Sequence, residues 1–172
     1  MRRVAIIGPS GAGKTTLALE LGRRLGIELV ELDRLFWKPG WVATPIDECE
    51  RIQRTALRGE TWIVDSASPR ALRTRLEAAD TIVFLDPPPL LCAVRAFFRR
   101  VRARGRARAE IAPGCNVSRL DHAVAKRLTY TWRYRHELRP LFLRELGRLS
   151  QQRRIVVLRN SRQVRDFVAS VG

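Results

Sequence analysis

Two rhythms of apolar residues alternate along the chain. Short continuous runs at 4–7, 62–64, 81–85 and 155–158 have the pattern of strands buried on both faces, and 28–32 reads as a further short strand. Between them, apolar positions recur at helical spacing. Leu17, Leu21 and Leu25 follow a glycine-rich turn, and Gly26 stops that helix. Thr44-Pro45-Ile46-Asp47 predicts a helix start, with Thr44 as N-cap and Pro45 in the first position, and that helix should run to 58–59. A helix is expected after Pro69. Pro87-Pro88-Pro89 opens a long one through about Val101, where Leu90, Val94, Phe97 and Val101 are spaced as a core-facing stripe. A helical stretch is predicted over roughly 119–149 with an interruption at Pro140, and a last helix over 161–171. Alternating strands and helices argue for an α/β fold with a parallel sheet and helices on both faces. No internal repeat or linker divides the chain, so residues 1–172 are expected to form a single domain, with the Arg- and Gly-rich segment at about 102–118 as a loop or lid.

Composition narrows the class. At 172 residues and 45% hydrophobic the chain suits one globular domain and is too apolar for a disordered one. Its charge is unusual: the net value is +16, and residues 1–86 carry 13 basic and 12 acidic side chains against 20 and 5 in residues 87–172. Arginines outnumber lysines 30 to 3, which also points to a composition bias. An excess of this kind implies acidic partners such as phosphates, nucleic acid or an anionic surface. No apolar stretch has the length of a membrane span. Met1-Arg2-Arg3 before 4–7 mimics the start of a signal peptide, but the apolar run stops at Gly8-Pro9. Cys49, Cys92 and Cys115 form no CxxC pair and suggest neither zinc nor a disulfide framework. A reduced cytoplasm is the simplest location.

Gly8-Pro9-Ser10-Gly11-Ala12-Gly13-Lys14-Thr15 fits G-x-x-x-x-G-K-[ST] with no mismatch. Glycines let backbone N–H groups turn inward around an anion. Lys14 supplies a mobile cation for the β- and γ-phosphates, and the Thr15 hydroxyl is placed to ligate Mg2+. The N-terminus of the helix that follows adds positive field at the same point. The motif needs a strand before it and a helix after it, and the pattern predicts both.

Three predicted strands end in an acid: Asp33, Asp65 and Asp86. Carboxyl ends of parallel strands face the ligand crevice, so one of these should sit on the Mg2+ side. By apolar run length Asp86 leads, although an acid ending a strand is often only a turn residue. Seven arginines and no acid fall between Arg95 and Arg108. Arg95, Arg99 and Arg102 share one helical face, while Arg104, Arg106 and Arg108 flank Gly105. Arginines closing on a triphosphate are worth roughly 10³–10⁵ in rate, and a mobile basic segment would serve as the lid. Two or three of these side chains are expected to touch phosphate and the rest to be surface. Trp37, Trp41 and Trp62 lie near the crevice mouth in sequence, with core or loop packing as the leading reading. His122 and His136 read as structural or surface residues, and Cys92 as a small buried one.

With these segments in place, the chain resembles the P-loop kinase-like proteins known as topology-modulation or adenylate-kinase-related proteins. Supporting segments run over nearly the whole chain: residues 8–16, Leu32-Asp33-Arg34-Leu35-Phe36-Trp37, Trp62-Ile63-Val64-Asp65, residues 79–86, the 95–100 region, Ala112-Pro113-Gly114-Cys115 and Tyr130-Thr131-Trp132-Arg133-Tyr134. The resemblance implies a three-layer P-loop NTPase fold with a five-stranded parallel sheet in the order 2-3-1-4-5. It implies ATP and Mg2+ as cofactors, bound by Gly8, Pro9, Ser10, Gly11, Ala12, Gly13, Lys14, Thr15 and Thr16. It makes Asp65 rather than Asp86 the acid paired with Thr15 at the metal. It turns Asp33 toward the acceptor, to orient or deprotonate a hydroxyl, and matches Arg70 to the family's acceptor-side arginine. Arg95 and Arg99 become the lid-helix arginines, and the turn at 159–162 lies beside the adenine. The sequence departs from its relatives after the third strand: where they carry Asp-Gly-Asn-Tyr, this chain has Asp65-Ser66-Ala67-Ser68. That change concerns the acceptor side and leaves residues 8–16 intact.

The expected function is ATP-dependent phosphoryl transfer to a small acceptor, a nucleotide or another hydroxylated metabolite. Two alternatives stand beside it: an ATP-binding protein associated with nucleic acid through its basic half, as the topology-modulation label suggests, and a nucleotide-binding relative that transfers nothing. The sequence carries no helix-turn-helix, zinc-finger or RNA-binding signature, and no membrane partner is expected.

Overall fold

The computed structural model describes residues 1–32, 37–38, 42–66, 68–102 and 133–171. In chain order its elements are β1 (Arg3–Ile7), α1 (Lys14–Leu25), β2 (Leu29–Val30), β3 (Trp37–Lys38), β4 (Val42–Ala43), α2 (Ile46–Ala56), β5 (Trp62–Ser66), α3 (Leu72–Ala78), β6 (Thr81–Leu85) and α4 (Pro89–Arg102). A π-helical turn (Tyr134–Leu138) then runs into α5 (Arg139–Leu149), followed by β7 (Arg154–Leu158) and α6 (Ser161–Ala169). Five strands form a parallel sheet in the order β2-β5-β1-β6-β7. Counted among themselves, those five strands follow the expected 2-3-1-4-5. A short antiparallel hairpin, β3–β4, intervenes between the second and third of them and was not anticipated from the pattern.

Side chains on a strand alternate between faces, and here both faces are covered. Ala5, Ile7, Val64, Ile82 and Phe84 pack with Leu72 and Leu76 of α3 and Phe142 and Leu146 of α5. Val4, Ile6, Ile63, Val83 and Leu85 pack on the other face with Leu17 and Leu21 of α1, Cys92 of α4 and Phe167 of α6. This double burial explains why the strands read as continuous apolar runs. Phe84 meets Phe142 edge-on with ring centroids 6.0 Å apart, joining β6 to α5. Asp80 anchors the start of β1 by accepting from the Arg2 and Arg3 amides at 2.9 and 2.8 Å. Among the described residues, no helix is long and apolar enough to cross a membrane.

Several local expectations need correcting. The N-cap of α2 is Pro45 rather than Thr44, and the helix ends at Ala56 rather than 58–59. The second strand is confined to Leu29–Val30, because only these residues pair with β5. The last helix stops at Ala169. Pro140 lies in the first turn of α5, directly after the π turn, so regular α-winding is broken just before it while the chain stays helical. The largest correction concerns α4. Leu90, Val94 and Phe97 are exposed at 72%, 44% and 39%, while Cys92 is buried at 2%. Cys92 lies about 200° around the helix from Leu90, so α4 presents its narrow Cys92 side to the body and turns the expected stripe outward.

Candidate active site

The loop after β1 is shaped by backbone proximity. Gly8 has φ +145 and Gly11 φ +86. A Cβ on Gly8 would collide with the Leu85 carbonyl at the end of β6, and one on Gly11 with the Cys92 carbonyl of α4. The loop is thus wedged between β6 and α4, which accounts for the small contact side of α4. α1 begins at Lys14 with no side-chain cap and no acid in its first turn. Its leading N–H groups and positive dipole end are therefore available to an anion. The Lys14 side chain is buried and folds back, donating Nζ to the Pro9 carbonyl at 3.0 Å.

At the second residue of the same helix, Thr15 Oγ1 donates to Asp65 Oδ2 of β5 at 2.6 Å. β5 is one of the two strands beside β1, and its register of Ile6 to Asp65 brings these two oxygens together. A hydroxyl and a carboxylate this close could hold a hard divalent cation between them. Asp86 sits elsewhere. It accepts a bidentate pair from Arg139 Nε and Nη2, at 2.9 and 2.8 Å, and lies 3.5 Å from the Tyr134 hydroxyl. The carboxylate's hydrogen bond raises the Arg139 pKa above its ordinary value, against the opposing effect of burial. Asp86 is thereby engaged with α5, while Asp65 faces the loop.

Arg99 and Arg95 extend from α4 toward this loop. Arg99 Nη2 reaches Ser10 Oγ at 3.3 Å, and Arg95 Nη2 reaches Ser161 Oγ at 3.4 Å. Both side chains are exposed. A cavity of about 950 Å³ opens beside them, lined by Ala12, Thr16, Pro87, Arg95, Arg159 and Ser161 among others. That volume falls in the range of small-molecule sites, roughly 300–1,000 Å³. Its far wall is the β7–α6 turn at 159–162, which is made rigid by a reciprocal cap: Asn160 Oδ1 accepts from the Gln163 amide at 2.9 Å, and Gln163 Oε1 from the Arg159 amide at 2.7 Å. Cys92, under the loop, has its thiol pKa pushed up by burial, opposed by Arg95 and Lys14.

On the opposite face of the sheet, Arg70 is half-buried and donates Nη1 to the Thr44 carbonyl at 2.6 Å. In the segment after β5, serines tie the loop to itself. The Ser68 amide donates to Ser66 Oγ and the Arg70 amide to Ser68 Oγ, each at 3.1 Å. Trp62 is a core residue at 2% exposure, at the end of β5 away from Asp65. His136 is exposed. Asp33, Trp41, His122, Cys115, the segment at 103–118 and Arg104, Arg106 and Arg108 lie outside the described residues. Sequence reasoning missed Tyr134 and Arg139. Five residues apart, they fall about 140° apart on an α-helix, and only the wider winding of the π turn brings both to Asp86.

The five-stranded parallel sheet and the glycine loop between β1 and α1 give the chain the fold of P-loop kinase-like proteins. A Thermococcus onnurineus protein provisionally named an adenylate kinase is 26% identical over 132 residues, covering 73% of this chain and 68% of that protein. A tRNA dimethylallyltransferase of Mycobacteroides abscessus is 46% identical over 52 residues, a local likeness of 29% of this chain and 17% of that protein. A shikimate kinase from Acinetobacter baumannii, solved with shikimate, superimposes with a TM-score of 0.56 at 17% identity, over 99% of this chain and 90% of that one. This structural likeness speaks for the fold. No protein-family model matches the chain.

Proposed function

We propose that this chain is an ATP-dependent phosphotransferase that moves the γ-phosphate of ATP to a small acceptor, a nucleotide or another hydroxylated metabolite. The observation that carries this reading is the 2.6 Å contact between Thr15 and Asp65 beside an uncapped α1 and a glycine loop closed by backbone. Glycines that let the loop pack on the Leu85 and Cys92 carbonyls with no side chain in the way, and a hydroxyl–carboxylate pair at its edge, fit a nucleotide triphosphate and Mg2+. When bound, Mg2+ neutralises charge on the phosphate oxygens.

The chain's own residues do the rest. N–H groups over residues 8–16 wrap the phosphates. Lys14 exchanges the Pro9 carbonyl for phosphate oxygens. Thr15 and Asp65 hold the metal side. Arg95 and Arg99 meet the triphosphate from α4, and the cavity beside residues 159–162 receives the base. Asp33 orients or deprotonates the acceptor hydroxyl, and Arg70 holds the acceptor. The acceptor oxygen bonds to the γ-phosphorus as the bond to the β–γ bridging oxygen breaks, and the hydroxyl proton leaves to a base. In this reading residues 1–172 form one cytoplasmic domain, with 102–118 as lid.

The test is transfer of label from γ-labelled MgATP across a panel of nucleotides and hydroxylated metabolites. Label on at least one acceptor is expected. No transfer to any, together with no Mg2+-dependent ATP turnover, would contradict the reading. A second reading, association with nucleic acid, is favoured by the 20 basic and 5 acidic side chains of residues 87–172. It requires duplex binding that persists near physiological salt.

A further inference from the structure

A buried polar framework lies behind Arg70, and the reaction as proposed makes no use of it. Arg75 on α3 is fully buried. Its guanidinium donates Nη1 to the Arg70 carbonyl at 3.0 Å and Nη2 to the Ser68 carbonyl. Gln53 on α2, also fully buried, donates Nε2 to the Ala71 carbonyl at 3.2 Å. Between these contacts Ala71 adopts φ 47 and ψ 37, the one positive φ outside glycine among the described residues. An alanine there is sterically strained and persists only where its surroundings hold it. Burying a guanidinium is costly, and this one contributes two of its donors to the carbonyls of one short loop. The carbonyls of Ser68, Arg70 and Ala71 are thus fixed from inside, and the Arg70 amide is fixed by Ser68 Oγ. The Arg70 guanidinium itself donates Nη1 to the Thr44 carbonyl.

We propose that Arg75 and Gln53 are positioning residues that clamp residues 68–71 in this strained form, so that Arg70 meets an anionic group of the acceptor without first ordering its loop. This rests on the reading of Arg70 as the acceptor-side cation. Pre-ordering of this kind raises affinity because no loop has to be fixed on binding. A lysine at position 75 keeps the charge but loses the planar fork that spans two carbonyls. A glycine at position 71 accepts the left-handed conformation with no clamp at all.

The experiment titrates inorganic phosphate, as anionic probe, into the full chain whose phosphate loop is filled with a non-hydrolysable ATP analogue and Mg2+. Arg75→Lys and Gln53→Leu are expected to weaken phosphate binding about tenfold while analogue affinity stays unchanged. Adding Ala71→Gly to Arg75→Lys should restore phosphate affinity to within about twofold of the parent. Amide exchange at Arg70 and Ala71 should rise in Arg75→Lys and fall back in the double variant. If Arg75→Lys fails to fold, Gln53→Leu with and without Ala71→Gly decides the matter in the same way. If Arg70→Ala loses phosphate while Arg75→Lys and Gln53→Leu keep it, or if Ala71→Gly restores nothing, the clamp is overturned and the reading of Arg70 stands. If Arg70→Ala binds phosphate as tightly as the parent, that reading fails and the clamp falls with it.

Discussion

Thr15 and Asp65 stand fifty positions apart, yet their side chains share a hydrogen bond. Asp65→Asn keeps the size of the side chain and removes half of a divalent-cation site, so the Mg2+ concentration for half-maximal activity should rise about tenfold or more, as a metal titration of ATP turnover would show. An unchanged Mg2+ requirement would place the metal elsewhere. Asp86 makes a different prediction. Its side chain is 6% exposed and paired with Arg139, itself 37% exposed. Asp86→Asn should cost about 2 kcal/mol in stability, between the values for surface and buried pairs, measurable by urea denaturation. Pattern favoured Asp86 at the sequence level because its strand is the longer apolar run. Run length reports burial of a strand; β5 and β6 both lie beside β1, and what separates the two acids is that Arg139 holds Asp86 against α5 while Thr15 bonds Asp65. The same limit hid Arg75, which reads as one more helical arginine and proves to be fully buried.

At the scale of elements, β1, β5 and β6 were legible because each is buried on both faces and leaves a continuous apolar run, and β7 keeps such a run although Val157 is exposed at the sheet edge. α4 was legible as a helix but not in its orientation. Periodicity marks an apolar face without saying what lies opposite, and here the glycine loop selects the Cys92 side. Gly11→Ala therefore tests the wedge directly. The new Cβ meets the Cys92 carbonyl at a φ of +86, so either loop or helix must shift, and nucleotide affinity should fall about tenfold or more by calorimetry. α5 and α3 are joined by charge. Arg73 and Arg148 both bond Glu145, which is 2% exposed, and Arg148 also bonds Glu77. The Arg73 hydrogen bond, ahead of burial that opposes it, holds the Glu145 carboxyl below its ordinary pKa. Asp80 is likewise lowered: burial raises it, but bonds from the Thr81 hydroxyl and the Arg3 and Arg2 amides outweigh that. Groups lowered on folding contribute stability that is complete above the ordinary carboxylate pKa of about 4 and is lost as pH falls through the folded value. Thermal stability should hold from neutral pH to about 5 and fall below about 4, and Glu145→Gln should flatten that acid limb. A limb unchanged in Glu145→Gln would assign the loss to other carboxylates.

At the scale of the molecule, the charge of +16 has been given partial employment. Arg95 and Arg99 reach Ser161 and Ser10 at the loop and cavity, while Arg73, Arg139 and Arg148 are engaged in ion pairs. If the remaining excess served nucleic acid, the logarithm of affinity would fall with the logarithm of salt at a slope near −0.9 per phosphate contacted. A phosphotransferase whose arginines serve a triphosphate should instead show no duplex binding near physiological salt in a fluorescence titration. The proposed phosphate-binding half of the site was legible because its residues are compressed into eight consecutive positions. The proposed acceptor half was not, because the loop at 68–71 is held by Arg75 and Gln53 from helices and by serine hydrogen bonds that no periodicity marks. The central claim is that Lys14, now folded on the Pro9 carbonyl, is the cation on which phosphoryl transfer depends. Its most direct test is MgATP turnover by Lys14→Ala alongside the unfolding temperature of the same sample. The account predicts turnover lower by about a hundredfold or more with the fold intact, and a folded Lys14→Ala chain turning over MgATP at the parent rate would contradict it.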